Sequence, residues 1–122
     1  MEETVRPARV LVVDDEPSVL RALEVILRKK GHEVVALDSP IAATQRLAIE
    51  DFDVAMLDIR MLELSGIELL NAVKHRRPEI EVIMMTGHAT VDTALAAMKA
   101  GAHDYLIKPF IEKPDDVEHV AY

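Results

Sequence analysis

The residues of this chain that could carry chemistry stand directly after short apolar runs. Asp14 and Asp15 follow one run, Asp58 follows another, and Thr86 and Lys108 follow two more. Carboxylates held together repel, by about 4 kcal/mol for two unit charges 4 Å apart at an effective dielectric near 20. A fold that gathers these acids therefore needs positive charge, which Lys108 and a divalent cation would supply.

This donor set is typical of a magnesium site that handles phosphate. Ligands of oxygen alone favour Mg²⁺, Mn²⁺ or Ca²⁺ over zinc. Mg²⁺ usually takes one or two carboxylates and leaves positions for phosphate oxygens. The cation and Lys108 would neutralise the oxygens of a phosphoryl group while Asp58 attacks in line. The residues thus predict phosphoryl transfer to Asp58, with Mg²⁺ as the cofactor and Mn²⁺ as a substitute.

Five apolar runs can position these residues as strands. The runs do not alternate with polar residues, which indicates a parallel sheet covered on both faces. They cover residues 10–13, 34–37, 54–57, 82–85 and 105–107. Ligand sites of such sheets form at the carboxyl ends of the strands, where the acids, the threonine and the lysine stand.

Amphipathic stretches between the runs predict the helices. One starts at Pro17 and stops at Gly31, one runs from about 40 to 50 with Ser39 as its N-cap, and one follows Gly66 and closes before residue 78. A fourth helix is ended by Gly101. A fifth is predicted over 114–122, where the chain stops inside or just after it. The alternation predicts an α/β, doubly wound (βα)₅ fold.

Length and composition narrow the class of protein. The 122 residues fit one domain, 1–122, with a short lead over 1–8. A net charge of −8 argues against direct contact with nucleic acid. The absence of cysteine excludes disulfides and thiol catalysis. No apolar stretch is long enough for a membrane span or a signal peptide, so a cytoplasmic location is expected. The five histidines lack metal-ligand spacing and are predicted at the surface.

Taken together, the motifs resemble the receiver domain of two-component response regulators. They are Asp14-Asp15-Glu16, Asp58, Thr86-Gly87 and Lys108-Pro109, in the family's order along essentially the whole chain. The resemblance implies a flavodoxin-like sheet with strand order 2-1-3-4-5. It also implies that the domain is not an enzyme, beyond phosphorylating itself from small donors and dephosphorylating itself.

The resemblance assigns a role to each site residue. Asp58 would be phosphorylated by a histidine kinase or a phosphotransfer protein. Mg²⁺ would be bound by Asp15, Asp58 and the backbone carbonyl of Arg60, with Asp14 acting through water. Lys108 would pair with the phosphoryl group, Thr86 would donate its hydroxyl to it, and Tyr105 would be the switch aromatic. The bond between Lys108 and Pro109 would be cis.

Within the family, residues 84–89 and 97–102 are most similar to receivers of NtrC-type transcriptional regulators. This similarity implies an output domain beyond the C-terminus and a face of helix four, strand five and helix five that rearranges or forms a homodimer. The sequence departs from the family at Leu62, where a proline is usual. Losing that proline frees a backbone angle in the loop after Asp58.

Two other functions are compatible with the residues. A receiver-like docking module could keep the fold without phosphorylation, although the full set of acids, threonine and lysine argues against it. An Mg²⁺-dependent phosphohydrolase with an aspartyl-phosphate intermediate is the second alternative. Such enzymes place two acids two residues apart after the first strand, whereas Asp14 and Asp15 are adjacent.

Overall fold

Five parallel strands form one sheet in the order β2-β1-β3-β4-β5. The computed structural model describes residues 6–87 and 90–108. The predicted fifth helix and Pro109 lie outside these residues. The elements are β1 Arg9–Val13, α1 Pro17–Lys29, β2 Glu33–Leu37, α2 Pro40–Leu47, β3 Val54–Asp58, α3 Gly66–Arg76, β4 Glu81–Thr86, α4 Val91–Lys99 and β5 Asp104–Ile107. The predicted α/β class and strand order are confirmed.

The two faces of the sheet carry separate apolar cores. Alternate residues of a strand point to opposite faces. In β1, Val10 and Val12 pack with α1, whereas Leu11 and Val13 pack with residues of α2, α3 and α4. This arrangement explains why the strand sequences are continuously apolar. Among the described residues, no helix has both the length and the apolar character to cross a bilayer.

Side-chain caps fix where the helices begin. The Ser39 hydroxyl accepts a hydrogen bond from the backbone N–H of Ala42, 3.1 Å away, as the sequence predicts. α3 and α4 begin with reciprocal capping boxes, formed by Ser65 with Glu68 and by Thr90 with Thr93. The first of these caps stands at the end of the loop that follows β3.

The second helix is shorter than predicted, since α2 ends at Leu47 rather than near residue 50. The guanidinium of Arg77, beyond the end of α3, donates to the carbonyl oxygens of Leu47 at 3.1 Å and of Glu50 at 3.3 Å. These bonds satisfy carbonyls that a helix end leaves without partners. The contact joins residues about thirty positions apart, so local periodicity could not show it.

One histidine corrects the prediction that all five lie at the surface. His32 is buried, and its Nδ1 accepts a hydrogen bond from the backbone N–H of Ala8 at 3.0 Å. This hydrogen bond joins the residue before β2 to the residue before β1. Its partner precedes it by 24 residues, and no motif in the sequence marks the pair.

Candidate functional site

Three carboxylates meet at the carboxyl edge of the sheet. Asp14 and Asp15 follow β1, and Asp58 is the last residue of β3. Because β1 and β3 pair directly, one carboxylate oxygen from each residue lies within 4.8 Å of the others. Asp14 and Asp58 are buried, with 0% and 4% of their surface exposed, whereas Asp15 faces solvent. Asp14 and Asp58 are therefore two neighbouring carboxylates that are both shielded from water.

Lys108, directly after β5, brings an ammonium group to this cluster. Its Nζ lies 2.7 Å from Asp14 Oδ2 and 3.2 Å from Asp58 Oδ1. It also lies 3.0 Å from Glu16 Oε1. Burial alone lowers the pKa of Lys108, but its ion pairs with Asp14 and Glu16 outweigh burial and hold that pKa above its ordinary value. Lys108 is thus a fixed cation at this edge.

The acids nevertheless carry more charge than one lysine neutralises. Burial and then the charge of Asp14 raise the pKa of Asp58 to about 6, against the opposing effect of Lys108. Burial also raises the pKa of Asp14, although Lys108 acts in the opposite direction. Burial is the larger cause for both acids, and at Asp58 the charge of Asp14 adds to it, so Lys108 does not offset the two effects. The cluster of oxygen ligands, buried and short of positive charge, therefore fits a divalent cation such as Mg²⁺.

Thr86 and Tyr105 stand on neighbouring strands at the same edge. Thr86 is the buried last residue of β4, and its carbonyl oxygen accepts a hydrogen bond from the Lys108 backbone N–H at 2.6 Å. Tyr105 pairs in register with Met84, which stands two residues before Thr86. The side chains of Tyr105 and Thr86 therefore lie on the same face of the sheet. The Tyr105 hydroxyl lies 2.8 Å from Thr93 Oγ1 on α4. The tyrosine therefore connects β5 to α4.

The loop after Asp58 folds back onto the end of β3. The Gly66 N–H donates to the carbonyl oxygen of Ile59 at 2.8 Å, and Ser39 Oγ donates to Glu63 Oε1 at 2.7 Å. Arg60, whose carbonyl is predicted to face the cation, lies in this loop. Leu62, which replaces the usual proline, has 96% of its surface exposed and takes no part in the core.

Gly66 is the residue of this region that sequence reasoning undervalued. The sequence marks it only as a helix start, but a Cβ atom there would lie 2.1 Å from the carbonyl oxygen of Asp58 and 2.7 Å from Cα of Ile59. Only glycine permits this approach. The signal was present as a glycine at the first position of a helix, eight residues after the candidate acceptor.

Gly66→Ala is expected to lower the free energy of unfolding by about 1–3 kcal/mol, because the added methyl group overlaps backbone that cannot rotate away. Urea denaturation measures this loss. Gly87→Ala is the matched control, since a Cβ at Gly87 meets nothing within 4 Å. Equal effects of the two substitutions would show that the close approach at Gly66 does not constrain the loop.

The model of the family described as response regulator receiver domain matches residues 10–120. The chain belongs to this family. The receiver is 43% identical over 100 residues to the transcriptional regulatory protein ZraR of Klebsiella oxytoca, covering 82% of this chain and 23% of that protein. It is 43% identical over 103 residues to the response regulator protein FleR of Pseudomonas aeruginosa, covering 84% of this chain and 22% of that protein.

Solved structures agree with the sequence relatives. The receiver superposes on NtrX from Brucella abortus with a TM-score of 0.85 and 33% identity, over 94% of this chain and 26% of that chain. It superposes on the beryllofluoride-activated NtrC4 receiver domain dimer with a TM-score of 0.81 and 36% identity, over 92% and 94% of the two chains. The similarity to NtrC-type regulators is confirmed. This chain spans less than a quarter of the length of the curated relatives named above.

Proposed function

We propose that this receiver is a phosphorylation switch in which Asp58 accepts a phosphoryl group from a histidine kinase or a phosphotransfer protein. The observation that carries the proposal is the placement of the buried Asp58 carboxylate. It lies 3.2 Å from the Lys108 ammonium and within 4.8 Å of oxygens of Asp14 and Asp15. A nucleophile, a fixed cation and further acidic ligands thereby meet at one point of the sheet.

In this proposal one Asp58 carboxylate oxygen attacks phosphorus. The new O–P bond forms as the P–N bond of the donor phosphohistidine breaks, and the released imidazole takes a proton from solvent. Lys108 binds the transferred oxygens, and Thr86 donates its hydroxyl to them. Because the pKa of Asp58 is about 6, the carboxylate is ionised, and thus nucleophilic, at pH 7.5.

The cation assignment follows from the same ligands. Asp15, Asp58 and the Arg60 carbonyl would hold Mg²⁺ or Mn²⁺, with Asp14 acting through water. Bound Mg²⁺ would supply charge neutralisation on the phosphoryl oxygens. The chain's own residues then fix the acceptor, keep Lys108 near it and exclude bulk water from Asp14 and Asp58. No separate catalytic activity toward a small substrate is part of this proposal.

The response is proposed to travel from Thr86 through Tyr105 to α4. Tyr105 reaches α4 through its hydrogen bond to Thr93. The exposed apolar side chains beyond it belong to α4 and β5; they are Val91, Leu95, Met98 and Ile107. Such a patch marks a protein contact. We assign it to a homodimer or an output domain that controls transcription, and the NtrC4 receiver is a dimer in its beryllofluoride-activated form.

The wider context of the switch is also part of the proposal. We interpret 1–122 as one receiver domain of a longer cytoplasmic regulator, because the relatives are about four times as long as their matched part. The lead over 1–8, the helix over 114–122 and the cis bond before Pro109 stay predictions. The net charge of −8 leaves any contact with nucleic acid to another part of such a regulator.

Incubation with phosphoramidate or acetyl phosphate is expected to add one phosphoryl group in the presence of Mg²⁺ and none in the presence of a chelator. Intact-mass spectrometry measures the adduct, which should survive acid and be lost in base, as an acyl phosphate is. The absence of an adduct under every condition would favour the docking module. Sustained turnover of a small phosphate ester would instead favour the phosphohydrolase.

A further inference from the structure

Glu16 connects the start of α1 to Lys108. It is the N-cap residue of α1, yet its carboxylate makes no capping hydrogen bond to that helix. Its Oε1 lies 3.0 Å from Lys108 Nζ instead. Its backbone N–H donates to Asp14 Oδ1 at 2.9 Å, which anchors the residue beside the acid cluster. Glutamate is not among the residue types that commonly cap a helix, and this side chain contacts Lys108 instead of the helix.

The three acceptors around Lys108 differ sharply in their exposure to water. The side chains of Asp14 and Asp58 are 0% and 6% exposed, whereas that of Glu16 is 59% exposed. The cluster within 4.8 Å consists of Asp14, Asp15 and Asp58 and does not include Glu16. Lys108 therefore connects a buried carboxylate pair with an acid at the solvent rim.

A divalent cation bound to Asp58, with Asp14 acting through water, would compete with the Lys108 ammonium for these two buried carboxylates. The ammonium occupies Asp14 and Asp58 at 2.7 and 3.2 Å, and a cation arriving at these carboxylates repels it. Glu16 offers an alternative acceptor already in contact with the ammonium. An ammonium group has three donors that turn freely, so it can release the buried pair without leaving the rim.

We propose that Glu16 is a positioning residue that holds Lys108 at the rim of the site when a divalent cation binds beside the buried carboxylates. The inference rests on the proposed function, because it assumes that Mg²⁺ binds here. Glu16 then lowers the cost of metal binding and keeps Lys108 within reach of a phosphoryl group on Asp58. Its role is exerted through Lys108, and it is neither a metal ligand nor a nucleophile.

The test is the dissociation constant for Mg²⁺, measured by an NMR titration of the whole chain without any phosphodonor. Glu16→Gln is expected to weaken Mg²⁺ binding about two- to fivefold, as suits an exposed ion pair. Glu63→Gln is the matched control, since Glu63 is an exposed acid of the loop after β3 that bonds to Ser39. It should change the dissociation constant by less than about 1.5-fold.

Repeating Glu16→Gln in a Lys108→Ala variant distinguishes the loss of the contact between Glu16 and Lys108 from the loss of the Glu16 charge alone. Without the ammonium, Glu16→Gln is expected to lose most of its effect on Mg²⁺ binding, because no cation remains to be held. An undiminished effect in this background would overturn the inference, as would equal effects of Glu16→Gln and Glu63→Gln. The latter comparison needs no Lys108 variant and holds even where that variant folds poorly. A wild-type chain that binds no Mg²⁺ would instead refute the cofactor assignment itself.

Discussion

Asp58→Asn is expected to abolish phosphoryl acceptance and, at the same time, to raise the free energy of unfolding of the metal-free receiver. Acceptance is lost because an amide oxygen is a poor nucleophile and forms no stable acyl phosphate. Stability rises because the substitution removes a buried charge that lies beside Asp14 and shares Lys108 with it. The acceptor would thus be retained at a cost to the fold, as residues of functional sites often are.

The sign of the stability effect follows from the pKa of Asp58. Burial and the charge of Asp14 raise this pKa from 3.8 to about 6 in the folded chain. Between these two pH values the folded state binds more protons than the unfolded state, so stability falls as pH rises through the window. The charge therefore costs about 3 kcal/mol at pH 7.5. The gain from Asp58→Asn should shrink as pH falls from 6 toward 4.

Urea denaturation in chelator at pH 7.5 and pH 5, together with intact mass after phosphoramidate treatment, measures both effects. Asp38→Asn is the matched control, because Asp38 follows β2 at the same edge of the sheet but is exposed. It should alter neither the adduct nor, beyond a few tenths of a kcal/mol, the stability. A normal yield of adduct in Asp58→Asn would refute the assignment of the acceptor, and a loss of stability would refute the account of its charge.

The fold could be predicted from sequence because its signals are local. Strand runs, helical spacing and glycines at helix ends each depend on neighbouring residues, and the parallel sheet follows from their alternation. Gly31 and Gly101 do adopt positive φ, at 94° and 102°. The end of α2 was misplaced; the Leu47 carbonyl at that end accepts a hydrogen bond from Arg77, far along the chain, a contact that local periodicity does not show.

Some contacts of the candidate site could likewise be predicted from local sequence signals, whereas others depend on residues far apart in the chain. The order of strand ends was sufficient to predict that Asp14, Asp58 and Lys108 approach one another. The contact between Lys108 and Glu16 joins residues 92 positions apart, and Glu16 is by type an ordinary residue at a helix start. The close approach of Gly66 to Asp58 depends on the path of a loop, which periodicity does not describe.

Lys108→Ala is expected to destabilise the metal-free receiver by about 3 kcal/mol at pH 8. The substitution leaves Asp14 and Asp58 buried without the ammonium that lies 2.7 and 3.2 Å from them. Breaking a buried ion pair by removing one partner strands the other charge in a poorly solvated position. Stability should depend more steeply on pH than in the wild type, because Lys108 opposes the rise in the pKa of both acids.

Two conditions are expected to relieve this loss. At pH 5 the carboxyl groups take up protons, so less charge is stranded and the deficit relative to the wild type should be smaller. Mg²⁺ should also reduce the deficit, because a bound cation replaces the missing positive charge and stabilises the folded state that binds it. Mg²⁺ binding is therefore expected to be retained in Lys108→Ala, whereas the response to phosphorylation is expected to be lost with the group proposed to pair with the phosphoryl oxygens.

Lys74→Ala is the matched control for this lysine. Lys74 Nζ donates to the carbonyl oxygens of Pro78 at 3.1 Å and of Ile80 at 2.8 Å, so it contributes to stability without a carboxylate partner in these bonds. The loss of stability caused by Lys74→Ala should be the same at pH 5 and pH 8 and should not change with Mg²⁺. Thermal denaturation of the wild type, Lys108→Ala and Lys74→Ala, at pH 5 and pH 8 with and without Mg²⁺, measures the difference. A loss of stability in Lys108→Ala that is likewise independent of pH and Mg²⁺ would show that Lys108 only packs against the site. A collapse of Mg²⁺ affinity in this variant would show that the acids need the ammonium in order to bind metal.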